Sequence, residues 1–293
     1  MNDTAFVPLP AAEIERLAAC FPERTVAIGE GAQVSVRECG TAENGRLPLV
    51  CLHGIGSGAA SWLDTAILLS PRTRVIAWDA PGYGQSDPLP MDAPRAIDYA
   101  KRLHLLLDAL GVPRCVLVGH SLGALMAAAA LRDAAAQGRH AALVLISPAQ
   151  GYGAPARADD RERVRTQRLE SLDRLGVAGI AAQRSSRLVS EHASPVTRAW
   201  VRWTMAQLHE GGYRQAVELL CNGDLLADLP PAAPVQVACG DLDAVTPPAA
   251  CAEVALRCGV ALQTIARAGH ASHVEQPAAV ADLLARALDG VGA

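Results

Sequence analysis

Short apolar runs of strand length recur along the chain: Leu47–Leu52 (LPLVCL), Val75–Trp78 (VIAW), Cys115–Val118 (CVLV), Ala142–Ile146 (ALVLI), Val235–Cys239 (VQVAC) and Val260–Ile265 (VALQTI). Nearly unbroken apolar runs of this length suit strands buried on both faces, as in a parallel sheet. Between them lie stretches of helical spacing, at Ala93–Leu110, Leu122–Arg132, Pro248–Arg257 and Gln276–Leu288. Strands alternating with helices predict right-handed crossovers and a mostly parallel sheet covered on both sides. Two stretches depart from this rhythm. Thr25–Glu38 alternates apolar and polar residues around Gly29 and Gly31, which predicts an antiparallel hairpin after a helical or irregular lead-in over residues 1–23. From Gly151 to Asp228 the strands stop and Arg and Glu become dense, so this part is expected to be helical, with helices at Ala158–Leu175 and Val196–Glu210.

The expected organisation is an α/β core in two parts, residues 1–150 and 229–293, with residues 151–228 inserted as a helical cap. Composition adds a constraint on packing. Half the 293 residues are apolar but only two are Phe, so Ala, Val and Leu must fill the interior. The net charge of −4 is modest and the charges alternate in sign, which argues against nucleic acid or an anionic membrane as partner. Met1–Leu17 lacks a basic start followed by an apolar core, and no run is long enough to span a bilayer. The eight cysteines form no C-x-x-C pair, so free thiols in a reducing cytoplasm are expected. Oligomeric state is left open.

Candidate chemistry lies where strands run into loops. After Leu52 comes His53-Gly54-Ile55-Gly56-Ser57-Gly58, a tight turn with exposed amides that lacks the G-K-[ST] and G-x-G-x-x-G patterns of phosphate loops. After Val118 comes Gly119-His120-Ser121-Leu122-Gly123. In G-x-S-x-G the serine sits on a strained strand-to-helix turn, and only small residues two before and two after let the flanking segments pass. After Cys239 comes Gly240-Asp241-Leu242-Asp243, and near the end Ala268-Gly269-His270-Ala271-Ser272-His273. Ser121 is the candidate nucleophile, followed along the chain by an acid and a histidine. Open α/β sheets place ligands at these C-terminal strand ends.

These stretches, with Asp79–Ser86 (DAPGYGQS) and the continuations through Pro248 and Pro277, resemble the α/β-hydrolase superfamily over essentially the whole length. The resemblance implies that fold and a serine–histidine–acid triad of Ser121, His270 and Asp243. Asp243 is preferred to Asp241, which would cap the turn, and His270 to His273, which would be structural. The N–H groups of Ile55 and Leu122 would form the oxyanion hole. His53 and His120 are expected to brace or line the substrate site, and Asp79 to brace its turn. No metal or other cofactor is expected, because these loops supply no converging ligand pattern. The spacing of Gly212-Tyr213, Asp224-Leu225 and Leu229-Pro230 is similar to that of 3-oxoadipate enol-lactonases.

The resemblance therefore implies a small ester or lactone as substrate. A C–C bond hydrolase of ring-cleavage products, an acyltransferase and a non-catalytic ligand-binding member remain as alternatives. Trp200, Trp203 and Tyr213 are candidate pocket walls. Arg161, Arg165, Arg184, Arg187 and Arg202 could hold a substrate carboxylate, although arginines interleaved with acids on helices usually form a solvated face.

Overall fold

A computed structural model of the chain describes residues 8–41 and 45–291, so residues 1–7 of the expected lead-in lie outside it. Eight strands form one sheet: β1 Glu23–Ala27, β2 Gln33–Cys39, β3 Leu49–Leu52, β4 Val75–Trp78, β5 Cys115–His120, β6 His140–Ile146, β7 Val235–Gly240 and β8 Leu262–Ile265. Their order is β1-β2-β4-β3-β5-β6-β7-β8. The first two form the expected hairpin, and β2 joins β4 antiparallel; all other pairings are parallel. This is the mostly parallel, helix-flanked sheet of the α/β-hydrolase fold.

Period-two alternation divides the central strand between two cores. Cys115 and Leu117 join Val50 and Leu52 under helices Ala96–Ala109 and Gly123–Arg132. Val116 and Val118 join Leu49, Cys51 and Val144 under helices Leu63–Leu69 and Pro277–Gly290. Every residue from Gly123 to Ala130 is buried, and this alanine-rich helix packs against Ala96–Ala109. With so little Phe, fully buried Trp62, Trp78, Tyr99 and Phe21 supply the bulk.

Where elements start later than the pattern suggests, the backbone gives the reason. β3 begins at Leu49 because Pro48 has no N–H to donate. The helix expected from Ala93 begins at Ala96, after Pro94, with Asp98 Oδ2 accepting the Arg95 N–H at 2.8 Å. β8 begins at Leu262 because the Val260 N–H is used to close the preceding helix on Ala255 O, 3.0 Å away.

Between β6 and β7 the described residues form only helices. The first runs from Ala158 to Arg184 with a break at Gly176 (φ 60°), a turn at Ser185–Leu188 follows it, and the next helix is Pro195–Ala206. The stretch expected as one helix to Glu210 ends at Ala206, and a further helix, Glu210–Asn222, was hidden by the weak helix formers Gly211 and Gly212. Gly212 has a packing reason. A Cβ there would stand 2.0 Å from Gly82 O, so this helix docks backbone to backbone on the loop after β4.

Candidate active site

β5 delivers Ser121 into a left-handed backbone conformation, φ 51°. L-residues other than Gly, Asn and Asp seldom adopt it, because Cβ crowds the backbone. The turn is held from several sides: Ser121 N–H donates to Ile146 O at 3.0 Å, and its carbonyl accepts from Ala124 and Ala149 at 3.0 and 3.1 Å. The flanking glycines are sterically required. A Cβ on Gly119 would meet Gly123 O at 2.7 Å, and one on Gly123 would meet Leu52 O at 2.5 Å. Gly54 lies directly against the serine, where an added Cβ would be 2.9 Å from Ser121 Cβ.

His270 and Asp243 meet across two loops, His270 Nδ1 lying 2.9 Å from Asp243 Oδ2. Both are buried. The turn after β7 fixes the carboxylate: Oδ1 accepts the N–H groups of Val245 and Thr246 at 2.8 and 2.9 Å, and Oδ2 accepts the Thr246 hydroxyl at 2.9 Å. Burial pushes the Asp243 pKa up, but the His270 contact and these backbone donors outweigh it, leaving a carboxyl held below its ordinary value. An ionised Asp243 fixes the proton of His270 on Nδ1 and leaves Nε2 as the basic atom. Asp241 is exposed and instead accepts the Ala268 N–H at 3.2 Å. Thr246 was not anticipated, although a threonine three residues after an aspartate is the spacing of a side-chain-closed turn.

Ser121 and His270 line one cavity of about 470 Å³, bordered also by Ile55 and Leu122. Among the described residues neither the Ile55 nor the Leu122 N–H has a protein acceptor. Two unpaired donors beside the serine leave room for a developing negative charge. The glycine loop is itself tied down, because Ile55 O accepts the Tyr83 hydroxyl at 2.9 Å. The Asp79 carboxylate, expected to brace its own turn, accepts from Ala59 N–H and Ser35 hydroxyl at 2.8 and 2.7 Å and so ties that turn to the segment after the glycine loop and to β2.

The other histidines separate by position. His120 lines the cavity; its Nε2 donates to His270 O at 2.8 Å and its buried Nδ1 has no partner among the described residues. Burial and the neighbouring imidazoles of His273 and His270 hold its pKa well below normal. His273 lies behind it, against Trp62 and 3.1 Å from Ser61 Oγ. His53, named above as a substrate-site candidate, is not among the residues lining the cavity. Nδ1 donates to Gly54 O at 2.8 Å and Nε2 accepts from Ala80 N–H at 3.0 Å, so both nitrogens shape the glycine loop.

Of the expected pocket walls, Tyr213 lines the cavity and accepts a hydrogen bond from Arg168 at 3.1 Å. Trp200 and Trp203 do not line it. Trp200 joins the Trp62 core and Trp203 packs against that core, because their helix turns its aromatic face toward the sheet. Among the arginines considered above, Arg184 and Arg187 reach the cavity. Arg165 is paired with Glu218 at 2.7 Å instead. Glu275 ties the helical segment to the histidine loop, accepting from Gly269 N–H at 2.7 Å and Ser190 N–H at 2.9 Å.

No helix among the described residues is long and apolar enough to cross a membrane, and no group of three or more His, Cys, Asp or Glu is placed to hold a metal ion. Residues 49–283 match the Alpha/beta hydrolase family. A thermophilic esterase from Thermogutta terrifontis superposes with a TM-score of 0.79 at 26% identity, covering 92% of this chain and 99% of that one. The enol-lactonase from Burkholderia xenovorans LB400 superposes with a TM-score of 0.77 over 91% of this chain and 100% of that one; at 23% identity the likeness is one of fold. The 2-hydroxy-6-oxo-6-phenylhexa-2,4-dienoate hydrolase of Comamonas testosteroni is 39% identical over 79 residues, 26% of this chain and 28% of that protein. The chain spans about a third of the length of the first curated relatives it matches.

Proposed function

The chain belongs to the alpha/beta hydrolase family, and from that premise we propose that it is a serine hydrolase cleaving a small carboxylic ester or lactone through an acyl-enzyme. The observation that carries the reading is a serine at φ 51° sharing a cavity with a histidine whose Nδ1 is bonded to a buried carboxylate. Ser121 Oγ attacks the carbonyl carbon while His270 Nε2 takes its proton. The charge that appears on the carbonyl oxygen is met by the N–H groups of Ile55 and Leu122, donors already unpaired and so needing no rearrangement as the reaction proceeds. The imidazolium of His270, stabilised by Asp243, then protonates the departing alkoxide. Water repeats the cycle on the acyl-serine, His270 now activating the water, and the acid is released. In a lactone the leaving oxygen stays attached to the acyl group, and the product is a hydroxy acid or, from an enol-lactone, an enol that tautomerises to the oxo acid.

The substrate is small. A cavity of about 470 Å³ lies toward the lower end of the range for small-molecule sites. The local identity to the Comamonas testosteroni hydrolase makes ring-cleavage dienoates the competing substrates. The test is hydrolysis of p-nitrophenyl acetate and butyrate, an enol-lactone and such a dienoate by wild type and Ser121→Ala. Turnover of esters or the lactone that falls by roughly 10⁴-fold or more in the variant is expected. Ester turnover that survives Ser121→Ala would sink the mechanism, and turnover of the dienoate alone would move the assignment to the C–C hydrolases.

A further inference from the structure

Five arginines, Arg157, Arg163, Arg168, Arg184 and Arg187, line the cavity that holds Ser121, and among the described residues no aspartate or glutamate does. All five come from the helical segment over the site. Three have partners. Arg157 donates to Gly151 O at 2.6 Å and lies over the Tyr152 ring, Arg163 pairs with Asp160 at 2.5 Å, and Arg168 donates to the Tyr213 hydroxyl at 3.1 Å. Arg184 and Arg187 have neither a hydrogen-bond nor a carboxylate partner among the described residues. Burial lowers the Arg184 pKa, and the like charges of Arg168 and Arg187 lower it further. A guanidinium remains protonated regardless, so this wall keeps its positive charge without a protein anion to balance it.

The position of the charge is fixed relative to the reacting groups. Arg184 ends its helix and Arg187 lies in the following turn, whose last residue, Leu188, accepts the Ala271 N–H at 2.7 Å, next to His270. The Leu188 side chain reaches to 3.8 Å from where a Cβ on Gly56, beside Ile55, would stand. Arg184 is half-buried and faces the like charges of Arg168 and of the exposed Arg187; this repulsion raises the free energy of the empty site, and an anion seated among the three offsets it. The planar fork of Arg184 suits two oxygens of one group.

We propose that the substrate carries an anionic group, a carboxylate or a phosphate, remote from the carbonyl that Ser121 attacks, and that Arg184, with Arg168 and Arg187, holds it. This rests on the serine-hydrolase reading and narrows it to anionic esters or lactones. The group does no chemistry; it positions the carbonyl and selects against neutral substrates.

Binding to Ser121→Ala tests the site without turnover. Glutarate, butyl phosphate and the uncharged glutaramide would be titrated calorimetrically at low salt, then again with Arg184→Gln added. Expected is binding of at least one anion about tenfold or more tighter than the diamide, weakened about tenfold by Arg184→Gln and partly restored by Arg184→Lys. Tighter binding of butyl phosphate identifies the group as phosphate and tighter glutarate as carboxylate, each supporting the site. Anions bound no more tightly than glutaramide, or bound equally by Arg184→Gln, overturn it.

Should Arg184→Gln fail to fold, Arg187→Gln and a salt titration of the parent carry the same comparison. The kinetic counterpart is the ratio of kcat/KM for mono-p-nitrophenyl glutarate to that for p-nitrophenyl pentanoate, expected to fall about tenfold in Arg184→Gln, mainly through KM. A fluorophosphonate that labels wild-type Ser121 separates the two failures. Labelling without anion preference removes the arginine site alone, whereas anion binding without labelling removes the serine mechanism.

Discussion

The two ends of β5 carry much the same chemistry, and the proposed site lies at one of them. At its start, Cys115 Sγ lies 3.5 Å from His140 Nδ1, His140 Nε2 lies 3.2 Å from His104 Nε2, and His104 Nδ1 lies 3.2 Å from Asp133 Oδ2. At its end stand Ser121, His270 and Asp243. Each end thus offers a nucleophile, imidazole and a carboxylate. The difference lies in backbone and space. Cys115 is held within the strand, its N–H already donated to Arg139 O, and burial pushes its thiol up to about 12, far from a reactive thiolate. Ser121 is turned out of the strand at φ 51° onto a cavity lined also by Ile55 and Leu122, whose N–H groups have no protein acceptor among the described residues. Residue types in contact do not make a site. A strained presentation, an open volume and unpaired donors do.

The largest effect expected from breaking this contrast is at Asp243. Asp243→Asn keeps the shape but can donate to His270 Nδ1, which places the imidazole proton on Nε2, where the base must be empty. A loss of about 10³–10⁴ in kcat on a p-nitrophenyl ester is expected. Asp133→Asn, the matching change at the other end, should leave kcat unaltered, and equal losses at both ends would mean that general destabilisation, not orientation of His270, is being measured. Thr246→Val comes next. It removes the hydroxyl from Asp243 Oδ2 and its contact with His270 Nδ1 at 3.2 Å, while the two backbone donors to Oδ1 remain. One charge-assisted hydrogen bond lost predicts roughly a tenfold fall in kcat with KM little changed. A loss as deep as that of Asp243→Asn would show that the hydroxyl, rather than the carboxylate, directs the imidazole.

The floor of the cavity was legible in the sequence because its geometry admits few residue types. Gly119 and Gly123 leave no room for a Cβ, Gly54 presses on Ser121, and Asp243 closes a turn on the two backbone N–H groups that follow. Each requirement leaves a mark at a fixed spacing. The roof left no such mark. Arg157, Arg163 and Arg168 reach the cavity but read, among Asp159, Asp160 and Glu162, like any solvated helix face. Which cations turn inward depends on how the helix is rotated and where it breaks at Gly176, and a glycine in a helical pattern does not announce a break. Trp200 and Trp203 show the converse. Their size suited a pocket wall, yet the apolar face of Pro195–Ala206 faces the core around Trp62, and periodicity alone does not say which apolar surface a helix will meet.

The smallest effect on activity, and the sharpest test of what the other end of β5 does, is at His140. Burial, then the charges of His104 and Arg139, bring its pKa down to about 3. His104 and Cys115 face its ring directly, while Asp133 acts through His104 and Asp108 through Arg139. The folded value lies below the unfolded value of about 6.5. Above that pH the imidazole is neutral in both states and the fold is unaffected. As pH falls below it the unfolded chain takes up a proton that the native protein refuses, so stability is lost progressively until the folded pKa is reached. At about 1.4 kcal/mol per unit, His140 alone accounts for roughly 2–3 kcal/mol of loss by pH 4.5. His120 and His273, both with lowered values, add loss of the same sign at the far end. His140→Gln should therefore keep the wild-type kcat at neutral pH and be less stable there. Its urea midpoint should also fall less than the wild type's between pH 7.5 and 4.5. Parallel curves for the two proteins would mean that His140 does not carry the acid sensitivity, which then resides in the other histidines with lowered values, His104 beside it and His120 and His273 at the far end.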